Sequence, residues 1–148
     1  MKITDAQLKQ IYAHAVETYP YECCGFLLGQ FSDNGFVHEI RRATNQNQDR
    51  TDRFVISSEE FANVHKSADT AELEIIGIYH SHPDWPPIPS QTDMENAWKD
   101  AFHLITSIYQ KTPLNTNVWR LADDGIRRFE FVPLEIVDQN KLPVHHKN

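Results

Sequence analysis

The apolar run Ile75-Ile76-Gly77-Ile78 leads without a break into Tyr79-His80-Ser81-His82-Pro83, and this passage constrains the fold more than any other. Such a run reads as a strand, in which side chains alternate with period two. His80 and His82 therefore leave the strand end on the same side. Pro83, Pro86, Pro87 and Pro89 stiffen the loop that follows, and Ser90-Gln91-Thr92-Asp93 opens a helix. A stiff loop fixes where Ser90 and Asp93 stand relative to the strand. Two imidazoles and one carboxylate suit a zinc ion that keeps a fourth position open for water. His80, His82 and Asp93 thus read as the ligands of a metallohydrolase site holding one zinc per chain.

Plainer uses exist for each of these residues. A lone histidine is more often a core or surface residue than a ligand. Ser-x-x-Asp ahead of Met94, Ala97, Trp98 and Ala101 resembles a capping box, in which Ser90 caps the helix and Asp93 favours its positive end. The two uses of Asp93 agree only in part, because a ligating carboxylate is expected to point away from the cap. Trp85, at the loop tip, reads as a packing residue in preference to a cover over substrate. His14, His38, His65 and His103 carry no assigned role, and the His145-His146 pair could take up metal adventitiously.

A chain of 148 residues with 40% hydrophobic and 11% aromatic content fits one globular domain. Its formal charge of −7 argues against nucleic acid as a partner, since phosphate binding calls for a basic face. No apolar stretch reaches the roughly 20 residues that span a bilayer. The polar N-terminus lacks a secretory core, so a cytoplasmic location is the expectation. Cys23 and Cys24 are adjacent and read as small core residues. Arg41, Arg42, Arg50, Arg53, Arg120, Arg127 and Arg128 could line one patch for an acidic partner, although a scattered solvated surface is the simpler arrangement.

The rest of the pattern alternates helices and strands. Residues 4–18 form a helix capped by Thr4 and ended by Pro20. Cys23 to Leu28 suits a strand buried on both faces, and Phe36 to Ala43 a second strand. Residues 44–53 read as a polar loop, Phe54-Val55-Ile56 as a brief strand, and Ser57 or Ser58 as the cap of a helix running to Ala68. The spacing then predicts the motif strand over 74–82, a helix from Met94 to about Phe102, and strands over 104–109 and 117–121. A turn at Asp123-Asp124-Gly125 leads into a strand over 126–132. The tail from about Gln139 is expected to be loosely ordered. The sum is an α/β layered architecture around a mixed sheet.

A hydrolytic site also needs a proton shuttle, and spacing does not select one. Glu22 is the candidate by position, because it opens the buried run; a solvated glutamate after Pro20 is the local alternative. The residues resemble the JAMM metallopeptidase family, or MPN-plus domain. Its pattern is an upstream glutamate, His-Ser/Thr-His, seven residues, Ser, two residues and Asp. Glu22, His80-Ser81-His82, Ser90 and Asp93 fit it, and Tyr21-Glu22-Cys23-Cys24-Gly25-Phe26-Leu27-Leu28-Gly29, Ala43-Thr44-Asn45 and Arg53-Phe54-Val55-Ile56 resemble further family segments.

The resemblance implies a cytidine-deaminase-like α/β/α fold. It also implies zinc on His80, His82 and Asp93, Glu22 as general base and then acid, and Ser90 as a donor to the oxyanion. The implied substrate is a ubiquitin-like sulfur-carrier protein, cut after its C-terminal Gly-Gly to release cysteine or a short extension. A non-catalytic scaffold of the same fold is the alternative. A zinc nucleobase deaminase is a weaker one, because its Pro-Cys-x-x-Cys ligand pair is missing from the sequence.

Overall fold

The computed structural model describes residues 1–47 and 51–141. Arg50, His145, His146 and the tail beyond Lys141 lie outside the described residues. In chain order the elements are β1 (Lys2–Thr4), α1 (Asp5–Thr18), β2 (Cys24–Gln30), β3 (Phe36–Ala43), α2 (Ser58–Thr70) and β4 (Glu74–Pro83). They continue with α3 (Gln91–Asn96), β5 (Phe102–Tyr109), β6 (Thr112–Leu121), β7 (Phe129–Val132) and β8 (Glu135–Val137). A 3-10 turn over Gln139–Lys141 follows. The strands join in one mixed sheet, ordered β7-β6-β5-β4-β2-β3-β1-β8. Among the described residues no helix is long and apolar enough to cross a membrane.

Strand β2 shows why both sheet faces are covered. Cys23 and Leu27 pack with Leu8, Ile11 and Ala15 of α1, whereas Cys24, Phe26 and Leu28 pack with Val64 and Ala68 of α2. Alternation along one apolar strand therefore feeds two cores, giving the expected α/β/α layers. Each Leu or Phe removed from water this way contributes about 1.5–3 kcal/mol. Thr4 starts α1 through a capping box: its Oγ1 accepts the Gln7 N–H at 3.1 Å, and Gln7 Oε1 accepts the Thr4 N–H at 3.0 Å.

The strand that carries the histidines contains a β-bulge. Leu27 pairs with Gly77 but Leu28 pairs with Ile75, which leaves Ile76 as the extra residue. Ile75 then faces the α2 core while Ile76 and Tyr79 face the α1 core. With the parity reset, His80 and His82 emerge on the α2 face, where the Phe54 ring stacks 4.7 Å from that of His80. Gly25 lies opposite Tyr79 on the neighbouring strand. A Cβ there would come within 2.3 Å of the Tyr79 ring, so only glycine lets Tyr79 lie across β2 and reach His14 Nδ1 at 2.7 Å.

Several expected elements differ. Phe54-Val55-Ile56 is not a strand: the Val55 N–H goes to Asn45 Oδ1, and Phe54 and Ile56 pack on the α2 core. The predicted helix from Met94 to Phe102 ends at Asn96. There the Arg127 guanidinium takes the carbonyls of Met94, Glu95 and Ala97, and Asp100 turns the chain with φ 60° into β5. The strand expected from Ile126 begins at Phe129, because Asp124 holds the Ile126 N–H and pairs with Arg128 in a wider turn. Strands β1 and β8 went unread, being three residues each.

The arginines do not gather into one patch. Arg41 pairs with Glu39 and Arg42 with Glu17 on β3, while Arg120 lies over Phe102 on β6, with three strands between. Trp85 does not pack either, being 62% exposed.

Candidate metal centre

The end of β4, the start of α3 and the residue ahead of β2 meet at one buried point. His80 Nε2 and His82 Nε2 are 3.1 Å apart. Asp93 Oδ1 stands 3.2 Å from His80 Nε2, and Oδ2 stands 3.0 Å from His82 Nε2. Glu22 Oε1 lies further out, 4.0 Å and 3.9 Å from the two nitrogens. All four sequence candidates for metal and proton chemistry are therefore brought together. Glu22, His80 and His82 by themselves already have ligand atoms within 4.8 Å of one another. The shorter distances make Asp93, not Glu22, the third member of the inner set.

Local structure orients each group. His82 Nδ1 is 2.8 Å from the Pro86 carbonyl oxygen, which can only accept, so Nδ1 carries the hydrogen and Nε2 presents its lone pair to the cluster. This is where the stiff proline loop acts. Ser90 caps α3: its Oγ accepts the Asp93 N–H at 3.0 Å, and Asp93 Oδ2 accepts the Ser90 N–H at 2.8 Å. The expected conflict between capping and facing the histidines does not arise, because Asp93 does both. Ser90 lines the cavity shared by Glu22 and His82. Its hydroxyl hydrogen is not used by the cap.

The electrostatics favour a cation. Burial acts to raise the Asp93 pKa, but its contacts with His80 and His82 outweigh that and hold it well below the usual carboxylate range. Burial pushes His80 below its ordinary value, against the raising effect of the Asp93 carboxylate. Glu22 is pushed up to about 9, chiefly by burial and then by the Asp93 and Asp52 carboxylates, against Arg53. Glu22 Oε2 is buried and has no hydrogen-bond partner among the described residues. Two imidazole nitrogens facing each other at 3.1 Å need a proton or a cation between them. Tetrahedral zinc, with bonds of about 2.0–2.1 Å, takes donor atoms about 3.3 Å apart, close to the spacing of this N, N, O triangle. The residues present therefore fit a zinc ion.

Two hollows border the cluster. One of about 220 Å³ lies beside His80 and Asp93, walled by Arg53, Phe54, Val55 and Trp98. The other, of about 640 Å³, runs past Glu22, His82 and Ser90 beneath Trp85 and Ile88. Thr92 lines both, so the cluster sits on the ridge between them. Cys23 and Cys24 are buried, and burial pushes the Cys23 thiol up to about 12, in keeping with core residues.

Some supporting residues escaped the sequence reading. Ser81, between the two histidines, has its Oγ on the Cys23 N–H at 2.8 Å, tying the Glu22 segment to β4. Asn45 holds the Glu22 carbonyl, and Arg127 holds the far end of α3. Ser81 could have been suspected from its place in the motif. Asn45 and Arg127 are distant in sequence from what they support.

The family model for prokaryotic homologs of the JAB domain matches residues 4–122. A desampylase of Haloferax volcanii is 34% identical over 89 residues, which is 60% of this chain and 63% of that protein, so the chain spans less than two thirds of that relative's length. A CysO-cysteine peptidase of Mycobacterium bovis is 28% identical over 129 residues, 86% of this chain and 84% of that protein. The solution structure of a Salinibacter ruber protein superposes with a TM-score of 0.73 at 34% identity, covering 99% of this chain and 97% of that one.

Proposed function

This chain belongs to the prokaryotic JAB-domain family, and from that membership we propose that it is a zinc-dependent peptidase or isopeptidase. Its substrate on this reading is a ubiquitin-like sulfur-carrier protein, hydrolysed at the amide after the C-terminal Gly-Gly with release of cysteine or a short extension. One observation carries the proposal: His80, His82 and Asp93 converge to within 3.2 Å of one another, with the buried Glu22 carboxylate one further step away. The names of the relatives support the substrate class, a desampylase on one side and a CysO-cysteine peptidase on the other.

His80, His82 and Asp93 would hold the zinc. When bound, the ion supplies a Lewis acid for the scissile carbonyl and brings the pKa of water to about 7. Glu22 takes a proton from the attacking water and returns it to the departing amine, a shuttle that suits a carboxylate shielded from bulk solvent. Ser90 directs its unused hydroxyl hydrogen at the oxygen that gains negative charge. Pro86, through His82 Nδ1, keeps the imidazole from turning. An extended tail ending in two glycines crosses the ridge between the two hollows, where small residues let the backbone approach closely.

The test is to incubate the zinc-loaded chain with sulfur carriers bearing C-terminal extensions and to weigh the products by mass spectrometry. Release of the extension by wild type and its loss in Glu22→Gln is the expected result. Intact carriers after wild-type treatment, or undiminished cleavage by the variant, would remove the reading. Absence of stoichiometric zinc from purified protein would favour the scaffold alternative.

A further inference from the structure

The chain enters the sheet just after Glu22. The Ser81 N–H reaches the Cys23 carbonyl at 3.1 Å, but the Cys23 N–H turns to Ser81 Oγ, and β2 begins only at Cys24. One residue further, the Glu22 carbonyl is held by a side chain, Asn45 Nδ2, at 3.0 Å. The same Nδ2 donates to the Arg53 carbonyl at 3.2 Å, and Asn45 Oδ1 accepts the Val55 N–H at 3.0 Å and the Asn47 N–H at 2.9 Å. A neutral amide offers two donors and two acceptor sites, and all four are used. Reversing the amide would set its NH2 against two N–H donors, so the orientation is unambiguous.

Asn45 thus bridges two parts of the site. Arg53, Phe54 and Val55 wall the hollow beside His80 and Asp93, while Glu22 lines the other hollow.

We propose that Asn45 is a positioning residue that fixes Glu22 for proton transfer by tying its carbonyl to the Arg53–Val55 wall. The inference rests on the peptidase reading above. A peptide pressed against the wall then bears, through one saturated amide, on the backbone that aims Glu22. Releasing this tie frees the Glu22 backbone to turn. A misplacement of about 1 Å costs on the order of 100-fold in rate. The effect belongs in the chemical step and leaves metal uptake alone, because the four hydrogen bonds of the Asn45 amide go to Glu22, Arg53, Asn47 and Val55 and not to His80, His82 or Asp93.

The test compares Asn45→Ala with Asn45→Asp in the full zinc-loaded chain. Asn45→Asp keeps the acceptor oxygen that braces Asn47 and Val55 but loses both donors, so it serves if Asn45→Ala fails to fold. Measured quantities are kcat and KM on an extended carrier, zinc per chain, and melting of the metal-free protein. Both folded variants are expected to lose about 10- to 100-fold in kcat, with KM within about threefold of wild type and one zinc per chain. Wild-type kcat in Asn45→Asp, a loss confined to KM, or a loss tracking zinc content would overturn the inference. An inactive wild type instead removes the peptidase reading, whereas an active wild type with an indifferent Asn45 removes this inference alone.

Discussion

The Ser90 backbone N–H donates to Asp93 Oδ2 at 2.8 Å, and that same oxygen stands 3.0 Å from His82 Nε2. The carboxylate that starts α3 is therefore the one that faces the imidazoles. Its position is set in both directions, because Ser90 Oγ accepts the Asp93 N–H. A six-residue helix has little stability of its own. Here it is held by the capping box at one end and by Arg127 at the other, so the placement of Asp93 depends on both.

Ser90→Ala removes a cap and a hydroxyl at once, and the two losses separate by size. The cap is worth about 1 kcal/mol of stability, whereas losing one oxyanion donor costs on the order of 100- to 1,000-fold in kcat. Expected, then, is a small fall in the urea midpoint and a large fall in kcat at saturating zinc. Activity near wild type with the same stability loss would leave Ser90 as a cap alone.

Arg127 is exposed, yet it takes three carbonyls at the end of α3. Arg127→Ala should loosen the helix and, with it, Asp93. Zinc affinity is expected to fall by about tenfold, the lower end for a group that supports a ligand. Competition with a chromogenic chelator measures this directly. With zinc in excess, kcat should return to near the wild-type value, and a variant that binds zinc normally would show that α3 stands without its brace.

The site was more legible in the sequence than its supports. His80 and His82 could be placed because strand periodicity is local, and Asp93 because a short proline loop leaves the chain few places to go. The bulge at Ile76 was not readable, since it depends on pairing with Leu27 and Leu28, some fifty residues away. Phe54-Val55-Ile56 has strand composition, but its Val55 N–H is claimed by the side chain of Asn45, an interaction that composition does not encode. Met94 to Phe102 carries helical spacing, and the pairing of Phe102 with Gly77 in the sheet overrides it.

Acid should destabilise the fold through two histidines outside the cluster. Burial lowers the pKa of His14 and of His103 to about 4, from 6.5. Each is neutral when folded, while the unfolded chain takes up a proton below about pH 6.5. Their contribution is complete above that pH and is lost as the pH falls through 6.5 toward 4. His14→Gln, which cannot charge, should show a smaller drop in denaturation midpoint between pH 7 and pH 4.5 than wild type. An equal drop would mean that His14 titrates normally despite its contact with Tyr79.

Glu22 has the opposite sign, and its effect is confined to the metal-free chain. Its pKa is raised to about 9 from 4.5, chiefly by burial. Between these values the unfolded chain has released a proton that the folded chain keeps, so stability falls as the pH rises from about 4.5 to about 9. Glu22→Gln is neutral throughout and should remove that slope, melting above wild type at pH 8 when both are stripped of metal. A cation at the cluster favours the ionised carboxylate, so zinc should flatten the wild-type curve over the same range. The comparison needs only melting curves at pH 6, 7 and 8, with and without zinc. Parallel metal-free curves for wild type and Glu22→Gln would place the Glu22 carboxylate in solvent, away from His80 and His82.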